Sequence, residues 1–143
     1  MRMTDPEIRD LLLRTSRIAM VGASNKPERP SHGVLGFLIA RGYAVTPVNP
    51  GLAGGHIHGA AVVARLADAA PLDMVDVFRR SADAGAVVDE AIALGAKSVW
   101  LQLGVVDEAA AVRARAAGVT IVMDRCPAIE WRRLGLPPRI PAE

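Results

Sequence analysis

Five short apolar segments rich in β-branched residues recur along this chain, at 17–21, 44–48, 73–78, 97–102 and 119–124. Runs that stay apolar at nearly every position, rather than alternating, belong to strands covered on both faces. Helix-like stretches separate them. Those at 31–41, 81–94 and 107–117 stop at Gly42, Gly95 and Gly118, and 60–67 reads as a shorter helix. Ser81 and Asp107 stand where N-caps are expected. Strands alternating with helices require right-handed parallel crossovers, because a parallel neighbour cannot be reached by a tight turn. The expected fold is α/β: one doubly wound, Rossmann-like sheet of five parallel strands, helices on both faces, in the order 3-2-1-4-5 or a close relative.

The flanking segments complete this layout. Thr4-Asp5-Pro6-Glu7 has the spacing of a capping box with proline in the first turn, which predicts a leading helix at 5–14 that covers the sheet edge. Residues 50–59 are glycine-rich enough for a mobile loop, and 127–135 reads as a last helix before a proline-rich, frayed end. A chain of 143 residues with 51% hydrophobic content has ample core for one domain spanning 1–143, its body at about 17–134, preceded by the helical lead of 1–16 and followed by the tail at 135–143. The longest apolar run, 34–40, is far short of the ~20 residues that span a bilayer. A soluble, cytosolic protein is expected. A lone cysteine, Cys126, makes no internal disulfide, and three histidines form no cluster at metal spacing. A formal charge of +2 suits a small anionic ligand, while 3% aromatic residues supply few platforms for stacking bases, so no nucleic acid or membrane partner is expected.

Open parallel sheets bind ligands beyond the carboxyl ends of their strands. Here those ends read Gly22-Ala23-Ser24, Asn49-Pro50, Arg79-Arg80, Gln102-Leu103-Gly104 and Arg125-Cys126, a set far more polar than the strands that carry them. The first is the most telling. A strand that breaks into glycine and small polar residues ahead of a helix lets backbone N–H groups and the helix dipole meet a phosphate. Two patterns that would name the nucleotide are missing. Ser24 stands where a dinucleotide fingerprint needs its second glycine, and Asn49-Pro50 occupies the place of the acid that binds the ribose 2′-hydroxyl in NAD enzymes. No Walker motif is present either. Lys26, Arg29 and Arg79 instead offer scattered cations for separated phosphates.

The segments Val-Gly-Ala-Ser-x-x-Pro-x-Arg-Pro-Ser-His-Gly from Val21, Pro-Val-Asn-Pro from Pro47, Asp-Val-Phe-Arg-Arg-Ser from Asp76, Trp-Leu-Gln-Leu-Gly from Trp100 and Met-Asp-Arg-Cys from Met123 resemble the small stand-alone CoA-binding domain proteins. Those are similar to the CoA-binding domain of the succinyl-CoA synthetase alpha subunit. The resemblance runs over about 17–134 and implies coenzyme A or an acyl-CoA as ligand. It places the phosphate-binding loop on Gly22, Ala23, Ser24, Arg29 and Ser31, and the turn after the second strand on Asn49 and Pro50. The adenosine flank falls on Phe78 and Arg79, and the pantetheine arm on Gln102 and Gly104. It implies binding alone, because the phosphorylated histidine of the synthetase lies in a second domain for which this chain has no counterpart.

Several of these residues also admit a plainer role. Gly22 and Asn49-Pro50 could serve only as turns, Arg29 and Arg79 as solvated charges, and Gln102 as a partner for local backbone. His32, His56 and His58 read as structural or exposed, and Trp100 as core. Cys126 follows Arg125, a neighbour that favours thiolate, so a mixed disulfide with the thiol of bound CoA stands beside the plainer reading of an inert, half-buried thiol. Two functions follow: a non-catalytic binding module for CoA or acyl-CoA, acting as carrier or sensor, and alternatively a small enzyme of oxidoreductase or ligase type that uses NAD or ATP.

Overall fold

The computed structural model describes residues 3–138. Its principal sheet holds β1 (Arg17–Val21), β2 (Ala44–Val48), β5 (Met74–Val77), β6 (Ser98–Leu101) and β7 (Thr120–Val122). A short hairpin, β3 (His56–Ile57) with β4 (Ala60–Ala61), lies between β2 and β5 in the chain. The helices are α1 (Asp5–Arg14), α2 (Pro30–Ala40), α3 (Ser81–Ala93), α4 (Glu108–Ala116) and α5 (Pro127–Arg133). Every pairing in the five-stranded sheet is parallel. None of the described helices is long and apolar enough to cross a membrane.

Strand side chains alternate between two cores, as the period of two requires. Ile18, Met20, Met74, Trp100 and Val122 face the layer of α1, α2 and α5. Ala19, Val21, Val75, Val77 and Leu101 face that of α3 and α4. Because both faces are covered, β5 and β6 are buried at every position, which explains why, apart from Asp76 and Ser98, their residues are apolar instead of alternating. The capping box forms, with the Thr4 N–H donating to Glu7 Oε1 at 3.0 Å. α1 packs on the first face and reaches the edge strand β7, where Arg14 Nη2 donates to Thr120 Oγ1 at 3.5 Å. Ile8, Leu11 and Leu12 join the first-face core, and Arg133 of α5 holds Asp5 with bonds of 2.8 and 3.0 Å. Burial works to raise the Glu130 carboxyl, but Arg133 and Arg125 both donate to it and hold it below the usual range.

The doubly wound parallel sheet stands as expected, with one change of order. The sheet runs β2-β1-β5-β6-β7, so its principal strands lie 2-1-3-4-5 in chain order instead of 3-2-1-4-5. The outer edge of β2 is already taken. Val48 bridges to Val63 in parallel, the Val63 N–H donates to Pro47 O, and the Asn49 N–H donates to Val63 O, both at 3.0 Å. The next strand must therefore go to the free edge of β1, and the reversal of strand order falls between β1 and β5.

The same segment corrects two further expectations. Residues 60–67 are not a helix: Ala60 and Ala61 pair with His56 and Ile57, and the helical turn comes later, as a 3₁₀ stretch at Leu66–Ala69. Alanine favours helix more than any other residue, but that local preference loses to burial of Ile57 and Val62 in the first-face core. Residues 50–59 likewise hold a 3₁₀ turn, Pro50–Leu52, and the hairpin, pinned by the bonds Gly54 N–H to Val62 O and Val62 N–H to Gly55 O. Two smaller differences concern ends. Ser81 is the first residue of α3 and Arg80 its cap, so the Ser81 hydroxyl is free to bond elsewhere. Leu136 is buried and bonded to Trp131 O, which anchors the start of the tail expected to fray, and 139–143 lie outside the described residues.

Asp76 breaks the apolar pattern of β5. It is fully buried, and neither carboxylate oxygen has a hydrogen-bond partner among the described residues. Desolvation pushes its acid well above the ordinary range, so the folded protein keeps it neutral. The folded state then holds a proton that the unfolded chain releases, and stability falls as pH climbs from the ordinary carboxylate range toward the raised folded value. Asp76→Asn should remove a slope of about 1.4 kcal/mol per pH unit across that window, read as the difference between variant and wild-type denaturation midpoints against pH.

Candidate functional site

A cleft of about 650 Å³ opens over the carboxyl ends of β1, β5 and β6, at the reversal of strand order. Its floor is a backbone contact. Gly22 holds φ +85, and a Cβ there would sit 2.2 Å from Phe78 O, so only glycine lets the turn after β1 pass the end of β5. The turn hangs from both neighbours: the Gly22 N–H donates to Val48 O at 3.2 Å, and the Phe78 N–H donates to Val21 O at 2.9 Å. Asn49 adds a third tie. Its Nδ2 donates to Ala23 O at 2.8 Å while its Oδ1 accepts from the Gly51 N–H at 2.9 Å. Its side chain is thus spent on holding the loop in place.

From this support the loop reaches α2. The Ser24 N–H donates to the buried hydroxyl of Ser31, and Ser24 Oγ accepts from the Lys26 N–H, both at 3.1 Å. The head of α2 has no side-chain cap, no acid in its first turn, and proline at its first position. Such a helix end attracts an anion. Lys26, Arg29 and Arg79 line the cleft without an ion-pair partner among the described residues, whereas Arg80, also on the wall, is held by Asp83 at 3.0 Å. Across the cleft stands Gln102, only 7% exposed, whose Oε1 has no hydrogen-bond partner among the described residues. A buried acceptor left open in this way costs free energy until a donor arrives.

A family model of the CoA binding domain matches residues 16–132. The chain belongs to that family. Relatives agree along nearly the whole length. YneT of Bacillus subtilis is 38% identical over 121 residues, 84% of this chain and 88% of that protein. The structure of cell-free ID.343 from Thermus thermophilus superposes with a TM-score of 0.86 at 38% identity, covering 92% of this chain and 99% of the other. A hypothetical protein from Pyrococcus horikoshii OT3 gives 0.86 at 38% identity, with 94% of each chain covered.

Within this CoA-binding domain, Gly22, Ala23, Ser24, Arg29, Ser31, Asn49, Phe78, Arg79 and Gln102 all line the one cleft. Pro50 and Gly104 do not. Pro50 opens the 3₁₀ turn, and Gly104, at φ +79, shapes the rim by donating to Asp124 Oδ1 at 2.7 Å. Cys126, expected on the ligand face, is 6% exposed within the first-face core and forms no part of the wall. Arg125 beside it is committed to Glu130. His32 and His58 meet ring to ring at 4.2 Å, tilted by 45°, with His58 Nε2 bonded to His32 O, and neither is part of the cleft wall. Trp100 is core, and its Nε1 donates to Arg125 O at 2.8 Å. The wall also includes Leu103, one of the strand-end residues named from the sequence, and Val105, whose apolar character carries no sequence signal distinguishing it from the strand before it.

The two glycines provide a test of this geometry. At Gly104 nothing lies within 4 Å of an added Cβ, so Gly104→Ala should cost only the positive-φ penalty, about 1–2 kcal/mol. Gly22→Ala adds a collision with backbone and should cost twice that or more. In thermal denaturation the two variants should separate at roughly 2–4 °C per kcal/mol.

Proposed function

We propose that this protein binds coenzyme A or an acyl-CoA in the cleft and acts as a non-catalytic module, a carrier or sensor. The reading rests on one observation above others: the loops after β1 and β5 bring to the cleft three cations unpaired among the described residues and an uncapped helix head, while the loop after β6 is uncharged and offers the open acceptor Gln102 Oε1. A ligand with several phosphates at one end and an uncharged, amide-bearing arm at the other matches that division. Lys26, Arg29, Arg79 and the head of α2 would take the phosphates, Phe78 would flank the adenosine, and Gln102 would accept from an amide N–H of the pantetheine arm.

NAD fits less well. A carboxylate is what a dinucleotide site places at the end of the second strand, and Asn49 stands there with both ends of its amide already engaged. Binding without turnover is supported by the chemistry of the wall. Ser24 and Ser31 are tied into the loop, and the paired histidines and Cys126 lie outside the cleft.

Calorimetry and thermal shift with CoA, NAD, NADP and ATP test the proposal. CoA at 100 times its dissociation constant should add ~2.7 kcal/mol, a rise of roughly 5–10 °C in midpoint, with smaller shifts from the others. Preference for NAD or ATP over CoA would overturn it and favour the nucleotide-dependent enzyme. Arg29→Gln and Arg79→Gln should each weaken CoA binding by about 10-fold to 100-fold, the worth of one charge-assisted hydrogen bond.

A further inference from the structure

The cleft changes character along its length. Loops after β1 and β5 bring the cations, whereas residues 102–106 after β6 carry no charge and set Leu103 and Val105 on the wall. Leu103 is 56% exposed, Val105 keeps 8%, and Val106, three residues further on and outside the cleft lining, is 42% exposed. This exposure is imposed on the loop. Ser81 Oγ donates to Gly104 O at 3.3 Å and accepts from the Val106 N–H at 3.0 Å. The Gly104 N–H donates to Asp124 Oδ1 at 2.7 Å, and the Val105 N–H donates to Gln102 O at 2.9 Å. Asp124 itself holds φ +56, a region that a residue other than glycine enters at a cost. With the residues after it tied at these points, Leu103 stays at the rim, and a large apolar side chain stands in water on the wall of the cleft.

We infer that the ligand is an acyl-CoA with an apolar acyl chain, and that the chain lies on the rim at Leu103, against the remaining exposed edge of Val105. The inference rests on the CoA-binding reading and goes beyond it by naming what the thiol end carries. Charge sets the direction. With the phosphates at the cations after β1 and β5, the pantetheine arm runs past Gln102 and its sulfur emerges beside Leu103. A free thiol leaves that side chain in water, while an aliphatic chain of a few carbons covers it. Affinity should then rise roughly twofold to fourfold for each methylene that the rim shields.

Titration calorimetry of the full chain with CoA and with acetyl-, butyryl-, hexanoyl- and octanoyl-CoA tests this. The expected result is a dissociation constant that falls stepwise with chain length and levels off once the rim is covered. Leu103→Ser should flatten the series, and Val112→Ser, which removes an exposed apolar side chain of α4 outside the cleft, should leave its slope intact. CoA binding with a flat or rising series, or an unchanged slope in Leu103→Ser, would overturn the inference and leave the rim as a surface for something other than an acyl chain. No binding of CoA or any acyl-CoA by the wild type would overturn the CoA reading itself.

Discussion

Everything in the cleft depends on how closely the turn after β1 passes the end of β5. Gly22 lies against Phe78 O at a separation that no Cβ could share, and this contact brings the β1 and β5 loops together at the reversal of strand order. With a wider gap, the head of α2 and the cations of the two loops would face separate patches of solvent. The contact is between backbones, so it tolerates no adjustment by rotamer change. Asn49 keeps the same turn in place from the other side, by bonding to Ala23 O.

Around that floor, each loop is braced by the next. Ser31 holds Ser24, Ser81 holds the loop after β6 at Gly104 and Val106, and Asp124 holds Gly104 from beyond. Side chains that sequence reasoning offers as ligand contacts or helix caps are in several cases the braces. What remains unsatisfied is then informative. Lys26, Arg29 and Arg79, without ion-pair partners among the described residues, an uncapped helix head and an open buried amide oxygen belong to one cavity, whereas Ser24, Ser31 and Asn49 are spent within its loops. Preorganisation of this kind lowers the ordering cost of binding, because the loops are already in position.

Much of this architecture is legible in the order of residues. Uninterrupted apolar runs announce strands buried on two sides, and glycines after the helices announce their ends, since both signals arise from local geometry. The strand ends named from that pattern supply most of the cleft wall. Three features were not legible. The order of the sheet turns on Val63 occupying the edge of β2, a contact between segments whose sequence shows only two apolar residues. The hairpin replaces an alanine-rich helix because Ile57 and Val62 find a core to enter. Cys126 is drawn into the first-face core although its place after a strand suggests a rim.

By itself, then, the sequence determined the α/β class, the parallel strands, the glycine-rich turn with its helix, and the family to which the chain belongs. These depend on periodicity, turn chemistry and short ordered motifs, all of which act over a few residues. Tertiary structure decided which edge β5 joined, which polar side chains became braces and which stayed open, and that Leu103 would stand in water beside the cleft. Those outcomes depend on which surfaces meet across long separations in the chain, where burial and hydrogen-bond satisfaction outweigh local preference.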